Sequence, residues 1–147
     1  MKNVVALTVA SLLAVGCASG PSTAPLPADL AIVAPDSSVP PDVRALSGKW
    51  SGKWRGLAGG QQQETLLVVE KIAGTEAAVV YSQGDHSRFR SLYHRTTAKV
   101  EPGVLTFSIA LKDGPAVYTY RLQPDGSLDA KMEYRGFNAV STLKRAA

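Results

Sequence analysis

The sequence predicts an all-β domain, a small antiparallel up-and-down barrel of about eight strands, standing after a leader and a linker. Three observations lead there. From Arg44 onward, short runs alternate apolar and polar residues with a period of two, the mark of strands with one buried face. Turn residues punctuate those runs at regular spacing, as at Ala73-Gly74-Thr75, Pro102-Gly103, Asp113-Gly114-Pro115 and Pro124-Asp125-Gly126. Nothing in that region carries the 3.6-residue apolar period of a long helix. Eight antiparallel strands with one apolar face each can close and so remove their exposed edges. A two-sheet sandwich is the other architecture this pattern allows.

The leader comes first. Lys2 precedes an apolar run, Val4–Gly16, broken only by Thr8 and Ser11 and ending in small residues. This is the layout of a secretory signal peptide over residues 1–16, and it is too short to span a bilayer, which takes about 20 residues. Cys17 is the only cysteine, so no internal disulfide can form. Leu13-Ala14-Val15-Gly16-Cys17 resembles the lipobox of bacterial lipoproteins. The resemblance implies that Cys17 carries acyl chains such as palmitate and anchors the chain in a membrane. In that family Asp after the cysteine retains the protein in the inner membrane; Ala18 stands here, which implies the outer membrane of a diderm bacterium, on either face.

Residues 17–43 read as a disordered linker. Six of the nine prolines fall within Pro21–Pro41, and Asp29, Asp36 and Asp42 are its only charges. Stiffened toward polyproline II at about 3.1 Å per residue, such a linker could reach roughly 80 Å.

Residues 44–147 form the barrel domain. Its first strand is Ser47–Gly56, with Gly48, Trp50, Gly52, Trp54 and Gly56 on one face and only polar or charged residues on the other. The two indoles are expected inside, as plug and hinge, with the glycines relieving crowding beside the rings. Leu57–Gln63 is a loop, Glu64–Ile72 the second strand and Glu76–Ser82 the third; a fourth lies within Arg88–Val100. The later strands are Val104–Lys112, Ala116–Gln123, Ser127–Arg135 and Ala139–Arg145. Their alternation gives each strand one wet face.

A first strand with Gly-x-Trp, here Gly48-Lys49-Trp50 repeated as Gly52-Lys53-Trp54, followed by a β-meander, resembles the lipocalins and the wider calycin group. The resemblance implies a lipocalin-like barrel whose tryptophan closes the base under a basic residue of the last strand, Lys144 or Arg145. It also implies binding of small apolar or amphipathic molecules in the cup.

The chemistry the residues offer is limited. Only His86 and His94 are present, without HxH or HExxH spacing, so no metal or other cofactor is expected. Asp85-His86-Ser87 has the letters of a triad, but three consecutive residues cannot pass a proton in line. No enzyme is expected. All Lys and Arg except Lys2 lie at 44 or later, leaving that region more basic than the +4 of the whole chain. The basic residues are not clustered with aromatics as nucleic-acid binding would need. The candidate ligand contacts are Arg88 and Arg90, read as sharing one face of a strand at the barrel lip, and Tyr81, Tyr118 and Tyr120 as cup walls; Phe107 and Tyr134 could join them. The expected function is non-catalytic binding of a small amphipathic or anionic ligand, or of an envelope component, by a monomer. The alternative is a protein-interaction module, an assembly factor or enzyme inhibitor, with a filled barrel.

Overall fold

A computed structural model of the chain describes residues 22–57 and 60–147; the segment expected to be a signal peptide and the expected acylation site, Cys17, lie outside the described residues. One helical turn, α1 (Pro41–Arg44), precedes β1 (Gly48–Trp54), β2 (Gln63–Ala73), β3 (Glu76–Gln83), β4 (Leu92–Glu101), β5 (Val104–Leu111), β6 (Gly114–Leu122), β7 (Leu128–Tyr134) and β8 (Phe137–Arg145). Each strand pairs antiparallel with the next, and β1 pairs with β8 through Trp50↔Arg145 and Ser51↔Lys144. The result is the expected closed up-and-down barrel, and the sandwich is excluded.

At one end, the base, the barrel is sealed. Trp50 is wholly buried and its Nε1 donates to the Leu46 carbonyl at 3.0 Å. The Arg145 guanidinium lies 4.2 Å from the Trp50 ring centroid. Its Nη1 donates to the Ser47 carbonyl at 2.7 Å, and its Nη2 donates to that of Ala45. Arg145, not Lys144, is therefore the basic residue over the tryptophan. Gly48 makes room for it: φ there is +112°, and a Cβ would lie 2.8 Å from Arg145 Nη1. Val43 of α1 and Leu46 complete the plug, and Leu67, Leu105, Leu128 and Leu143 fill the interior.

The described part of the linker is not disordered. Residues 22–40 run as a strap along the outside of the wall, from the open end of the barrel to the base. At the top, Glu64 accepts from the Thr23 backbone N–H at 2.7 Å and from the Thr23 and Ser22 hydroxyls. Ser82 Oγ donates to the Pro25 carbonyl. Arg95 then spans two carboxylates, Glu70 through Nε and Nη2 at 3.0 Å each, and Asp29 through Nη1 and Nη2 at 3.0 and 3.1 Å. Lower down, Val33 N–H donates to the Glu70 carbonyl at 2.7 Å.

The reason lies in β2 and β3, which do not each have a wet outer face. Leu66, Val68 and Val80 point outward yet are buried, and the strap shields the wall on which they stand. Bare, that wall would expose a contiguous apolar patch. Gly84 lets the strap pass, since a Cβ there would sit 2.3 Å from Thr23 Oγ1.

Candidate functional site at the barrel mouth

The end opposite the base is open. β4 and β5 pair only over Lys99–Glu101 against Val104–Thr106. Above that point Leu92 and His94 on one strand separate from Ile109 and Leu111 on the other, and the wall parts. A cavity of about 440 Å³ opens there. Trp54, Tyr81 and Tyr118 line its lower part, and Met132, Tyr134 and Phe137 the far side. A wider depression of about 590 Å³ lies on the outer face of β6–β8 between Arg121, Asp129, Lys131 and Glu133. It is open and charged in both signs. The mouth is the concave, mainly apolar site with a few polar groups at its edge, which is the usual form of a small-molecule pocket.

An aromatic cluster supports the cavity. Tyr81 and Tyr118 have ring centroids 4.6 Å apart, and Phe107 stacks on Tyr118 at 5.1 Å and on Tyr120 at 5.8 Å. Trp54 Nε1 donates to the Tyr81 hydroxyl at 3.2 Å, which donates to Gln83 Oε1 at 3.3 Å. Gln83 Nε2 in turn donates to the Arg90 carbonyl at 3.0 Å. A continuous hydrogen-bonded path thus joins the tryptophan to the lip. Burial pushes the phenols of Tyr81, Tyr118 and Tyr120 upward, so they stay protonated donors at neutral pH.

The lip is the loop 84–91. Arg88 and Arg90 reach the cavity edge, but from a loop and not from a shared strand face, because β4 begins only at Leu92. The loop is held by Gln63 Nε2, which donates to the Gly84 carbonyl at 2.9 Å, and by Ser87 Oγ, which donates to Gln61 Oε1 at 2.6 Å. His86 Nδ1 accepts the Arg88 N–H at 3.1 Å, and its ring stacks on Phe89. Asp85, His86 and Ser87 each bond elsewhere and form no relay. Among the described residues no group of His, Cys, Asp and Glu is arranged to hold a metal ion.

Of the expected ligand contacts, the structure brings Arg88, Arg90, Tyr81 and Tyr118 together at the mouth. Tyr120 is a correction. It is wholly buried below the cavity, one pleat nearer the base than Tyr118, and its hydroxyl has no partner among the described residues. Trp54 is a second correction: it lines the cavity as well as packing the wall. Sequence reasoning missed His94, Gln63, Leu92, Ile109, Met132 and Phe137. The inward alternation of Ile109 and Met132 was legible, whereas Gln63 was read as loop, Leu92 and His94 lay in a strand of open limits, and Phe137 fell before the expected last strand. That they lie at the mouth, not the base, depends on which end is plugged.

No protein-family model matches the chain, and neither does any curated protein. Solved structures do. A redesigned β-barrel is similar at a TM-score of 0.59 and 15% identity, over 76% of this chain and 100% of that one. A de novo designed fluorescence-activating β-barrel is similar at 0.52 and 19%, over 71% and 96%. The M. tuberculosis protein Rv2717c gives 0.45 and 14%, over 74% and 99%. At these identities the likeness is one of fold: the chain is a closed eight-stranded β-barrel.

Proposed function

We propose that this protein is a lipid-anchored lipoprotein of the bacterial outer membrane whose barrel binds a small amphipathic molecule at its mouth without catalysis. The observation that carries the binding reading is the cavity of about 440 Å³, with Trp54, Tyr118, Ile109 and Met132 along its wall and Arg88 and Arg90 at its edge. The apolar part of a ligand would lie against the aromatic wall, which gains free energy with each methylene removed from water. An anionic or polar head would meet the two guanidinium groups by charge-assisted hydrogen bonds. The room at the mouth favours this over an interaction module with a filled barrel. The similar barrel designed to activate fluorescence gives the reading a precedent in the same fold. The lipoprotein part rests on the Leu13–Cys17 motif and the apolar run before it.

Two experiments test it. Brominated dodecanoate should quench Trp54 emission saturably, and Ile109→Trp, which fills the cavity, should abolish saturation while the barrel stays folded. Saturable quenching that survives Ile109→Trp would exclude the cavity as the site. For the anchor, Cys17→Ser should abolish acyl labelling and release the protein from the membrane fraction; fractionation like the parent would end the lipoprotein reading.

A further inference from the structure

We infer that the barrel docks mouth-down on an anionic lipid surface, with the four mouth loops as its contact face. Two independent features meet at that end. The first is composition. The described residues of the mouth loops are 55–57 and 60–62, 84–91, 112–113 and 135–136, and they carry Arg55, Arg88, Arg90, Lys112 and Arg135 against only Asp85 and Asp113. The loops at the other end, 74–75, 102–103 and 123–127, carry one charge, Asp125, beside the pair Asp42 and Arg44 of α1. Large apolar side chains stand exposed among the mouth cations: Phe89 at 41%, Leu111 at 42% and Phe137 at 37%. Cations interleaved with exposed aromatic and aliphatic groups around the mouth fit the interfacial layer of a bilayer, where the rings enter the headgroup region and the cations meet lipid phosphates.

The second feature is where the chain enters. The strap begins at Ser22, bound to Glu64 beside Gly84, and both of those residues lie at the mouth. Residues 22–40 are spent along the wall, so Cys17 is separated from Ser22, where the strap begins, by four residues, at most about 18 Å of extended chain. A linker expected to hold the barrel far from the membrane is instead spent along the wall, and the end of the strap nearer Cys17 is the one at the mouth. Arg135 adds a detail. It sits at φ +49° before Gly136 at φ +78°, in a two-residue hairpin whose first position favours Asn. Its guanidinium faces Asp113 across the rim, Nη1 to Oδ2 3.9 Å, in an exposed pair that leaves it open to a lipid phosphate.

The second feature rests on the anchored-lipoprotein reading and the first does not, so the test uses full-length chain carrying Cys17→Ser, in which only the mouth face can direct docking. Single cysteines for a fluorescent label are placed at the mouth, Phe89→Cys or Phe137→Cys, and at the base, Thr75→Cys or Pro124→Cys. Each protein is mixed with vesicles of phosphatidylglycerol and phosphatidylcholine containing nitroxide-labelled lipid. The mouth labels should lose most of their emission and the base labels keep theirs, with little effect in pure phosphatidylcholine. Arg88→Ser and Arg90→Ser should each weaken binding to the anionic vesicles about fivefold. Arg135→Asn should weaken it similarly while leaving the fold at least as stable. Equal quenching at both ends, or none at the mouth, would overturn the inference. Dodecanoate quenching of Trp54, measured without vesicles, reports the ligand site separately, so failure of one reading does not imply failure of the other.

Discussion

Replacing Arg145 with Met removes the group that closes the base. Three contributions are lost together. The guanidinium over the Trp50 ring at 4.2 Å is worth about 0.5–1 kcal/mol at a partly open site. The bonds to the Ser47 and Ala45 carbonyls are charge-assisted, and such bonds contribute roughly 1.5–3 kcal/mol each when well shielded. Arg145 stands at the solvent edge, so the low end of that range applies, and the methionine stem recovers part of the packing. The net loss should be about 2–4 kcal/mol. With a urea slope of about 1–3 kcal/mol per molar, the unfolding midpoint should fall by roughly 1–2 M, followed by tryptophan emission. Arg145→Lys should recover less than half, because a point charge on a flexible stem cannot both stack flat and bridge two carbonyls. A midpoint unchanged in the Met variant at unchanged slope would refute the idea that this contact seals the barrel.

Other consequences concern the strap and the base. Gly84→Val should detach the strap's upper end, because a Cβ would fall 2.3 Å from Thr23 Oγ1 and 3.2 Å from the Ala24 nitrogen. The cost should be about 1–3 kcal/mol, with faster hydrogen exchange at Thr23 and an intact barrel; unchanged exchange would contradict the contact. Acid should loosen the strap as well. The Thr23 N–H holds the Glu64 carboxyl below its usual range, and the Arg95 guanidinium does the same for Asp29. Carboxyls lowered in the folded state stabilise it fully above their unfolded values and lose that contribution as pH falls through the folded ones. A spin label at Ala28→Cys in the Cys17→Ser chain should therefore stay immobile above about pH 5 and gain mobility below about pH 4, less steeply in Glu64→Gln. Gly48→Ala should destabilise the base by about 1–2 kcal/mol, since φ is +112° and the methyl meets Arg145; thermal unfolding would report it.

The sequence alone determines the eight-stranded antiparallel meander and its approximate strand limits, while the β1–β8 pairing that closes it into a barrel and excludes the sandwich is tertiary. The meander and its limits depend on local physics: a two-residue alternation that leaves one face apolar, and turn residues that reverse the chain at Gly74, Gly103, Gly114 and Gly126, all of which adopt positive φ. It also marks Trp50 and the two candidate cations of the last strand, because both ends of that contact sit in recognisable runs. The double burial of β2 was written in Leu66-Leu67-Val68-Val69, a run with no polar alternation, although composition drew the preceding proline-rich segment as a free linker. Only the tertiary structure decides what covers that face, since the partners Glu64 and Thr23, or Arg95 and Asp29, lie 41 and 66 residues apart and meet through the register of three strands. The same holds for the cavity. Tyr118 and Tyr120 are equivalent in the sequence, two apart on one face, yet Tyr118 lines the mouth and Tyr120 is sealed beneath it. What separates them is where β4 and β5 part and which end Trp50 and Arg145 plug. Both follow from pairing between distant segments, which no local pattern encodes.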